Sequence, residues 1–443
     1  MHVGRTGSRA AVALSALCFA IAGCGGDDGG GGGGASPNAG AEETGVTEGA
    51  PKAPSLEAAK GAKGEVTYCT GKDTSGAQIQ STKDFNEKFA SQGLRAKVLE
   101  FPESADEQRN QFIQRQRAKS GECDIFYADV VWTAEFAQQK WLMDMTEYVE
   151  SRKDEFIQST LGTIQYDGKY FGVPKQTDAG FIYYRTDEVE QFPETWQALY
   201  EDASAKDGFV YQGAAYEGLT VNFMELALAA GGRVLSEDGK KSEINSPENL
   251  EALKFMVAGV KSGAAPKGVV TYMEEQARRA FEAGRATYMR NWPYAFALAG
   301  KAKETKGNFE VRPYPAFEGG KAAGILGGHN LVISSFAKNP EGAVALIDFL
   351  TSPEIIKQDA AEYSLAPVLK ATYDDPEVQE ALPFSAELKQ AVEQAGSRPV
   401  SPVYPQVSAA IYENVNAALS GQVTPEQALQ QADEDINKAL ATF

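Results

Sequence analysis

Five consecutive segments between Glu65 and Asp129 decide the fold: "EVTYCT" (65–70), "AQIQSTKDFNEKFASQG" (77–93), "RAKVLEF" (95–101), "ADEQRNQFIQRQRAKSG" (105–121) and "CDIFYAD" (123–129). The first, third and fifth are short apolar runs of strand length, and the two between them read as helices. In the first helix Ile79, Phe85 and Phe89 fall on one side, and Gly93 supplies the stop. This β-α-β-α-β order predicts parallel strands and an α/β domain. Ligands of such sheets gather beyond the carboxyl ends of the strands, near the topological switch point. Asp73 follows the first strand and Asp129 closes the third, so both stand at that end.

Upstream of this unit the chain reads as an export signal. His2, Arg5 and Arg9 precede the apolar run "AAVALSALCFA", which is too short for a bilayer span of about 20 residues. The run ends in Ile21-Ala22-Gly23-Cys24, which resembles a bacterial lipobox, with Cys24 as the lipidated residue. A signal peptide over 1–23 and a glycine-rich, unpacked tether over 24–62 are therefore expected. After signal removal Cys69 and Cys123 remain besides the anchor. They flank two predicted parallel strands whose simple register separates them beyond the ~7 Å bridging limit, so no disulfide is expected.

Downstream the chain is helix-rich. Ser246-Pro247-Glu248, Asn339-Pro340-Glu341, Ser352-Pro353-Glu354 and Thr424-Pro425-Glu426-Gln427 each open a helix, the last as a capping box. "TYMR" (287–290) and "NLVIS" (330–334) read as strands. With 443 residues, 43% of them hydrophobic, two domains with their own cores are expected. The net charge of −19 argues against nucleic acid, since phosphate binding needs clustered Lys and Arg.

Few residues suit catalysis. The two histidines are His2, in the signal segment, and His329, in "LGGHNLV", which reads as a turn or structural residue. That leaves no parts for a zinc site or a Ser-His-Asp relay, and no metal or cofactor is expected. Carboxylate pairs are always available among 61 acids, so the enzymatic alternative is a glycosidase using Asp129 with Glu274 or Glu275. Binding signals are stronger. A sugar needs aromatic plates for its C–H faces and planar charged groups for its hydroxyls. Trp292 and Tyr294, in "YMRNWPYAFALAG", supply plates; Asp73, Asp129, Glu274 or Glu275, and Arg398 supply hydroxyl contacts. A peptide or polyamine receptor is a further alternative, disfavoured by Trp292, Tyr294 and Arg398 together.

With the lipobox and the β-α-β-α-β start, four further stretches carry a resemblance: "FGVPKQTDAGFIYYRTDEV" (171–189), "AFEAGRATYMRNWPYAFAL" (280–298), "NPEGAVALIDFLTSPE" (339–354) and "SLAPVLKATYDDPEV" (364–378). From about residue 64 onward the chain resembles a family 1 extracellular solute-binding protein, a sugar receptor of an ATP-driven importer. "DVVWTAEFA" (129–137) and "MRNWPYA" (289–295) are similar to the trehalose/maltose-binding lipoprotein type. The resemblance implies two α/β lobes of the type II, maltose-binding-protein-like arrangement. Residues 63–173 plus 325–368 would form the N-terminal lobe, and 174–324 plus 369–443 the C-terminal lobe. The hinge crossovers would lie near Gly172–Pro174, Pro315–Gly328 and Ala366–Lys370. It also implies a disaccharide in the interlobe cleft, a membrane permease as partner and a monomer held outside the cell by Cys24. Asp129 would bond hydroxyls from the first lobe, Trp292 and Tyr294 would stack on glucosyl rings, and a carboxylate of Glu274 or Glu275 with Arg398 would complete the cleft. Gly327 and Gly328 would let backbone approach the sugar. Asp73 would touch it from its loop, with Asn291 and Gln176 as further contacts and Arg290 as a structural residue.

Overall fold

The computed structural model describes residues 45–442. The expected signal peptide, Cys24 and the glycine run after it lie outside the described residues. The opening unit forms as its periodicity predicts: β1 (Gly64–Thr70), the helix Ala77–Phe89, β2 (Leu94–Glu100), the helix Ala105–Arg117 and β3 (Ile125–Asp129). β1 pairs in parallel with β2 on one side and β3 on the other. The first helix buries Ala77, Ser81 and Phe85, one residue every fourth position. Ile79, expected on that face, lies off the stripe and is exposed. Gly93 ends the segment in the left-handed region, at φ 76°.

A hairpin of β4 (Gln165–Tyr166) and β5 (Lys169–Tyr170) comes next, then β6 (Val173–Asp178), β7 (Phe181–Arg185), β8 (Phe209–Val210), β9 (Tyr288–Asn291), β10 (Phe309–Arg312) and β11 (Gly327–Ile333). They build two sheets, β2-β1-β3-β11-β6 and β10-β7-β9-β8. β11 runs antiparallel to β3 and sets His329 opposite Asp129. The first sheet packs Val66, Ile125 and Leu331 against Val344 and Ile347 of the helix Pro340–Leu350. The second lobe's core gathers Trp196, Leu253, Ile411 and Leu429, drawn from helices far apart in sequence. Ser246, Asn339, Ser352 and Thr424 each accept an amide hydrogen bond at their helix starts, Thr424 with Gln427 as a full capping box.

The chain first passes between the sheets at Ala179–Gly180, not near Gly172–Pro174, because Val173–Asp178 is the last strand of the first sheet. Gly180 is required there by close approach: a Cβ would lie 1.8 Å from the Tyr314 hydroxyl. The chain returns to the first sheet between Arg312 and Gly327.

Two expectations are corrected near the amino end of the described residues. The tether does not reach residue 62. Thr47 is fully buried, and its amide and hydroxyl donate to the Asp167 carboxylate at 2.8 and 2.9 Å. The helix Leu56–Ala59 follows, with Ala59 and Ala62 buried. Composition pointed to a linker because the anchoring carboxylate, in the β4–β5 turn, lies far along the chain. Cys69 and Cys123 do form a disulfide, with Cα atoms 5.8 Å apart. Strand register does not extend to Cys123, because β3 begins at Ile125 and the chain bends at Asp124. That carboxylate accepts from the amides of Thr67, Lys338 and Asn339, which fixes the bend and brings Cys123 to Cys69.

Candidate functional site

Between the two sheets lies a cleft, at the carboxyl ends of β1 and β3, as expected of ligand sites in such sheets. Asp73, Asp129, Glu274, Glu275, Trp292, Tyr294, Gly327, Gly328 and Arg398 all line it, as does Gln176. Asn291 does not.

Trp292 follows β9 and is half-buried. Its ring lies over the Arg290 guanidinium, 3.9 Å from the ring centroid. Arg290 is buried and held by both oxygens of Glu225 at 3.1 and 2.5 Å, with Tyr314 at 2.8 Å and Gln212 at 3.0 Å. Burial disfavours its charge, but Glu225 and Tyr314 outweigh this and keep it protonated. It is thus a structural cation backing the Trp292 plate. Asn291 is fully buried, as is every residue of β9. It accepts from the Trp292 amide at 2.9 Å and donates to the Glu274 carbonyl at 3.2 Å, so it positions two cleft residues without reaching the cleft.

Gly327 and Gly328 line the cleft and are also packed closely. A Cβ on Gly327 would meet the Trp292 ring at 2.9 Å, and one on Gly328, at φ 120°, would meet the Gln176 carbonyl oxygen at 2.3 Å. Asp73 faces the cleft, but its carboxylate is engaged at the start of the helix Ala77–Phe89. Oδ1 accepts from the Gly76 amide at 2.8 Å and Oδ2 from the Ile79 amide at 2.9 Å.

Arg398 is also more committed than expected. It is buried, donating from Nη1 to Glu217 at 2.7 Å and from Nη2 to Asp129 at 3.0 Å. Its Nε is buried without a partner among the described residues. Burial opposes the charge, while Asp129, Tyr404 and Glu217 more than compensate and hold Arg398 protonated. Glu217 starts the helix Glu217–Ala229 and also accepts from Tyr404 at 2.6 Å and from Ser408, which stand one turn apart on the helix Tyr404–Leu419. Glu274 accepts from Tyr216 at 2.6 Å. Glu275 accepts from Arg278 at 3.0 and 2.5 Å and from the Tyr294 hydroxyl at 2.9 Å, which orients the second aromatic plate.

Several cleft residues were missed in the sequence. Tyr127 stacks flat on His329, with centroids 4.1 Å apart and planes 5° from parallel. His329, read as a turn or structural residue, lines the cleft from β11. Burial lowers its pKa to about 4, with Arg398 adding to the fall and Asp129 opposing it, so the ring is neutral at pH 7. Tyr127 donates to Gln176, whose amide donates to Asp178 Oδ2 at 2.8 Å. Asp178 Oδ1 is buried without a partner among the described residues, and burial pushes this carboxyl up to about 8. The alternation in β3 placed Tyr127 and Asp129 on one face, a signal that could have found Tyr127. Asp178 had no such signal. The cleft thus offers aromatic faces on both walls, a surplus of carboxylate acceptors and a neutral imidazole. Among the described residues no group of His, Cys, Asp and Glu is arranged to hold a metal ion.

Comparison with known proteins agrees with this arrangement. Residues 97–357 match the family described as bacterial extracellular solute-binding protein. A probable ABC transporter-binding protein of Deinococcus radiodurans is 32% identical over 365 residues, covering 78% of this chain and 86% of the relative. A maltotriose-binding protein of Pyrococcus abyssi is 27% identical over 334 residues, covering 72% of this chain and 70% of that protein. The structure of maltose-bound MalE3 of T. maritima superposes with a TM-score of 0.80 at 36% identity, covering 84% of this chain and 99% of the other. These are binding proteins, not enzymes, and the glycosidase reading is set aside. The fold is accordingly the two-lobe, maltose-binding-protein-like one, and the chain belongs to the bacterial extracellular solute-binding proteins.

Proposed function

We propose that this solute-binding protein captures a disaccharide, a maltose-like α-glucoside such as maltose or trehalose, and hands it to the permease of an ABC importer. The observation that carries the reading is the Trp292 plate, backed by Arg290 and set in a cleft rimmed by carboxylate acceptors. A glucosyl ring stacks on such a face while its hydroxyls donate to Asp129 and Glu274. Support comes from the probable ABC transporter-binding relative and from two that bind maltose or maltotriose. Sugar touching both lobes favours the closed arrangement only through contacts made there, so Asp129 on one wall and Trp292 on the other are the minimal pair. In this reading the protein works as a monomer outside the cell, tethered by lipid on Cys24, without a cofactor. Among the described residues no helix is long and apolar enough to cross a membrane.

The test is tryptophan fluorescence titrated with maltose, trehalose, sucrose, glucose and a cationic peptide. A saturable shift at micromolar maltose or trehalose is expected. A response to the peptide alone, with every sugar silent, refutes the sugar reading.

A further inference from the structure

The two lobes touch directly at the edge of the cleft, through Glu217, which lines it, and Asp106, which does not. The helix Glu217–Ala229 of the second lobe begins at Tyr216, whose side chain makes no capping bond. Its Glu217 amide donates instead to Asp106 Oδ2, 3.0 Å away, on the first-lobe helix Ala105–Arg117. Asp106 stands in the first turn of its own helix, whose N-cap residue Ser104 likewise makes no side-chain capping bond. One carboxylate therefore sits where two helix amino-termini meet, one from each lobe. Both ends carry partial positive charge and leave amides unsatisfied, so they repel each other unless an anion lies between them.

We propose that Asp106 is a closure latch: it caps the second-lobe helix across the cleft only when the lobes are together, and so sets sugar affinity without touching sugar. The proposal rests on the reading that sugar closes the lobes. Burial raises the Asp106 pKa, and the Glu217 amide and Arg109 pull it back down, so the cap offsets part of the cost of desolvating the charge. The geometry places this contact beside the Arg398 triad, since Glu217 supplies the amide to Asp106 and a carboxylate oxygen to Arg398. Removing the latch leaves every cleft residue in place and lowers the closed population, which weakens apparent affinity by the same factor.

The experiment compares the full chain with its Asp106→Ala and Asp106→Asn variants. It measures maltose and trehalose binding kinetics and small-angle scattering with and without sugar. Asp106→Ala should bind about five- to tenfold more weakly, through faster dissociation with an unchanged association rate, and still contract fully at saturating sugar. Asp106→Asn keeps an acceptor oxygen but not the charge, and should fall between the two. Affinity within twofold of the parent in Asp106→Ala overturns the latch. If the parent itself binds no sugar, the proposed ligand class fails, and the latch, which rests on sugar closing the lobes, falls with it.

Discussion

Replacing Asp178 by asparagine should change how stability depends on pH. Asp178 belongs to β6 and is buried, with Oδ1 unpaired among the described residues and Oδ2 accepting from Gln176. Burial raises this carboxyl to about 8; Gln176 and Arg290 act against the rise, and Asp129 adds to it. In the unfolded chain the group titrates near ~3.9. Between these values the folded protein holds a proton that the unfolded chain has released, so stability falls as pH rises and levels off above about 8. At ~1.4 kcal/mol per pH step, the loss between pH 5 and pH 8 is at most ~4 kcal/mol. Asparagine fills the same space and does not titrate. The difference in unfolding free energy, variant minus parent, should therefore move in the variant's favour by up to ~4 kcal/mol from pH 5 to pH 9. Urea denaturation of both proteins at pH 5, 7 and 9 measures this, and taking the difference cancels the other titrating groups. Parallel profiles across that range would show that Asp178 is ionised in the folded protein, and the argument from its burial would fail.

Three other outcomes are expected. Trp292→Ala should weaken maltose or trehalose binding more than tenfold with the circular-dichroism melt little changed, and unaltered affinity removes Trp292 from the site. Arg290→Met leaves Glu225 buried without its cation and should cost about 3–5 kcal/mol in urea unfolding; parental stability contradicts the assigned backing role. His329 titrates at about 4 when folded against ~6.5 unfolded. The unfolded chain gains its proton first, so this contribution is complete above pH ~6.5 and is lost as pH falls toward 4, by ~3 kcal/mol. His329→Gln should flatten that acid limb, and an unchanged limb rules out a buried neutral imidazole.

Local patterns carried much of the fold. The β-α-β-α-β unit and the proline-led helix starts depend on residues close in sequence, and they form where their patterns place them. Trp292, Tyr294 and Asp129 line the cleft because each lies in or just after the end of a strand that points there. What stayed hidden depends on partners far along the chain. Thr47 is ordered by Asp167, Arg398 is consumed by Asp129 and Glu217, and Asp124 turns Cys123 toward Cys69 through amides at 338 and 339. Asn291 is held by the Trp292 amide and the Glu274 carbonyl, partners that its place beside Trp292 in the sequence does not reveal.

The Cys69–Cys123 bond bears on where the protein reaches its full strength. It closes a loop of sequence separation 54, tying the carboxyl end of β1, just ahead of Asp73, to the chain entering β3, which ends in Asp129. A cross-link of that span lowers the entropy of the unfolded chain by an amount worth up to ~4 kcal/mol. Thiols joined this way persist in oxidising surroundings and are kept apart in the cytosol. A newly made chain is therefore at its weakest while still inside the cell, and melting with and without reductant reads the size of that gap. If the solute is met at this cleft, as proposed, maturation and delivery are coupled: the strands beside it are locked only once the polypeptide has reached oxidising surroundings.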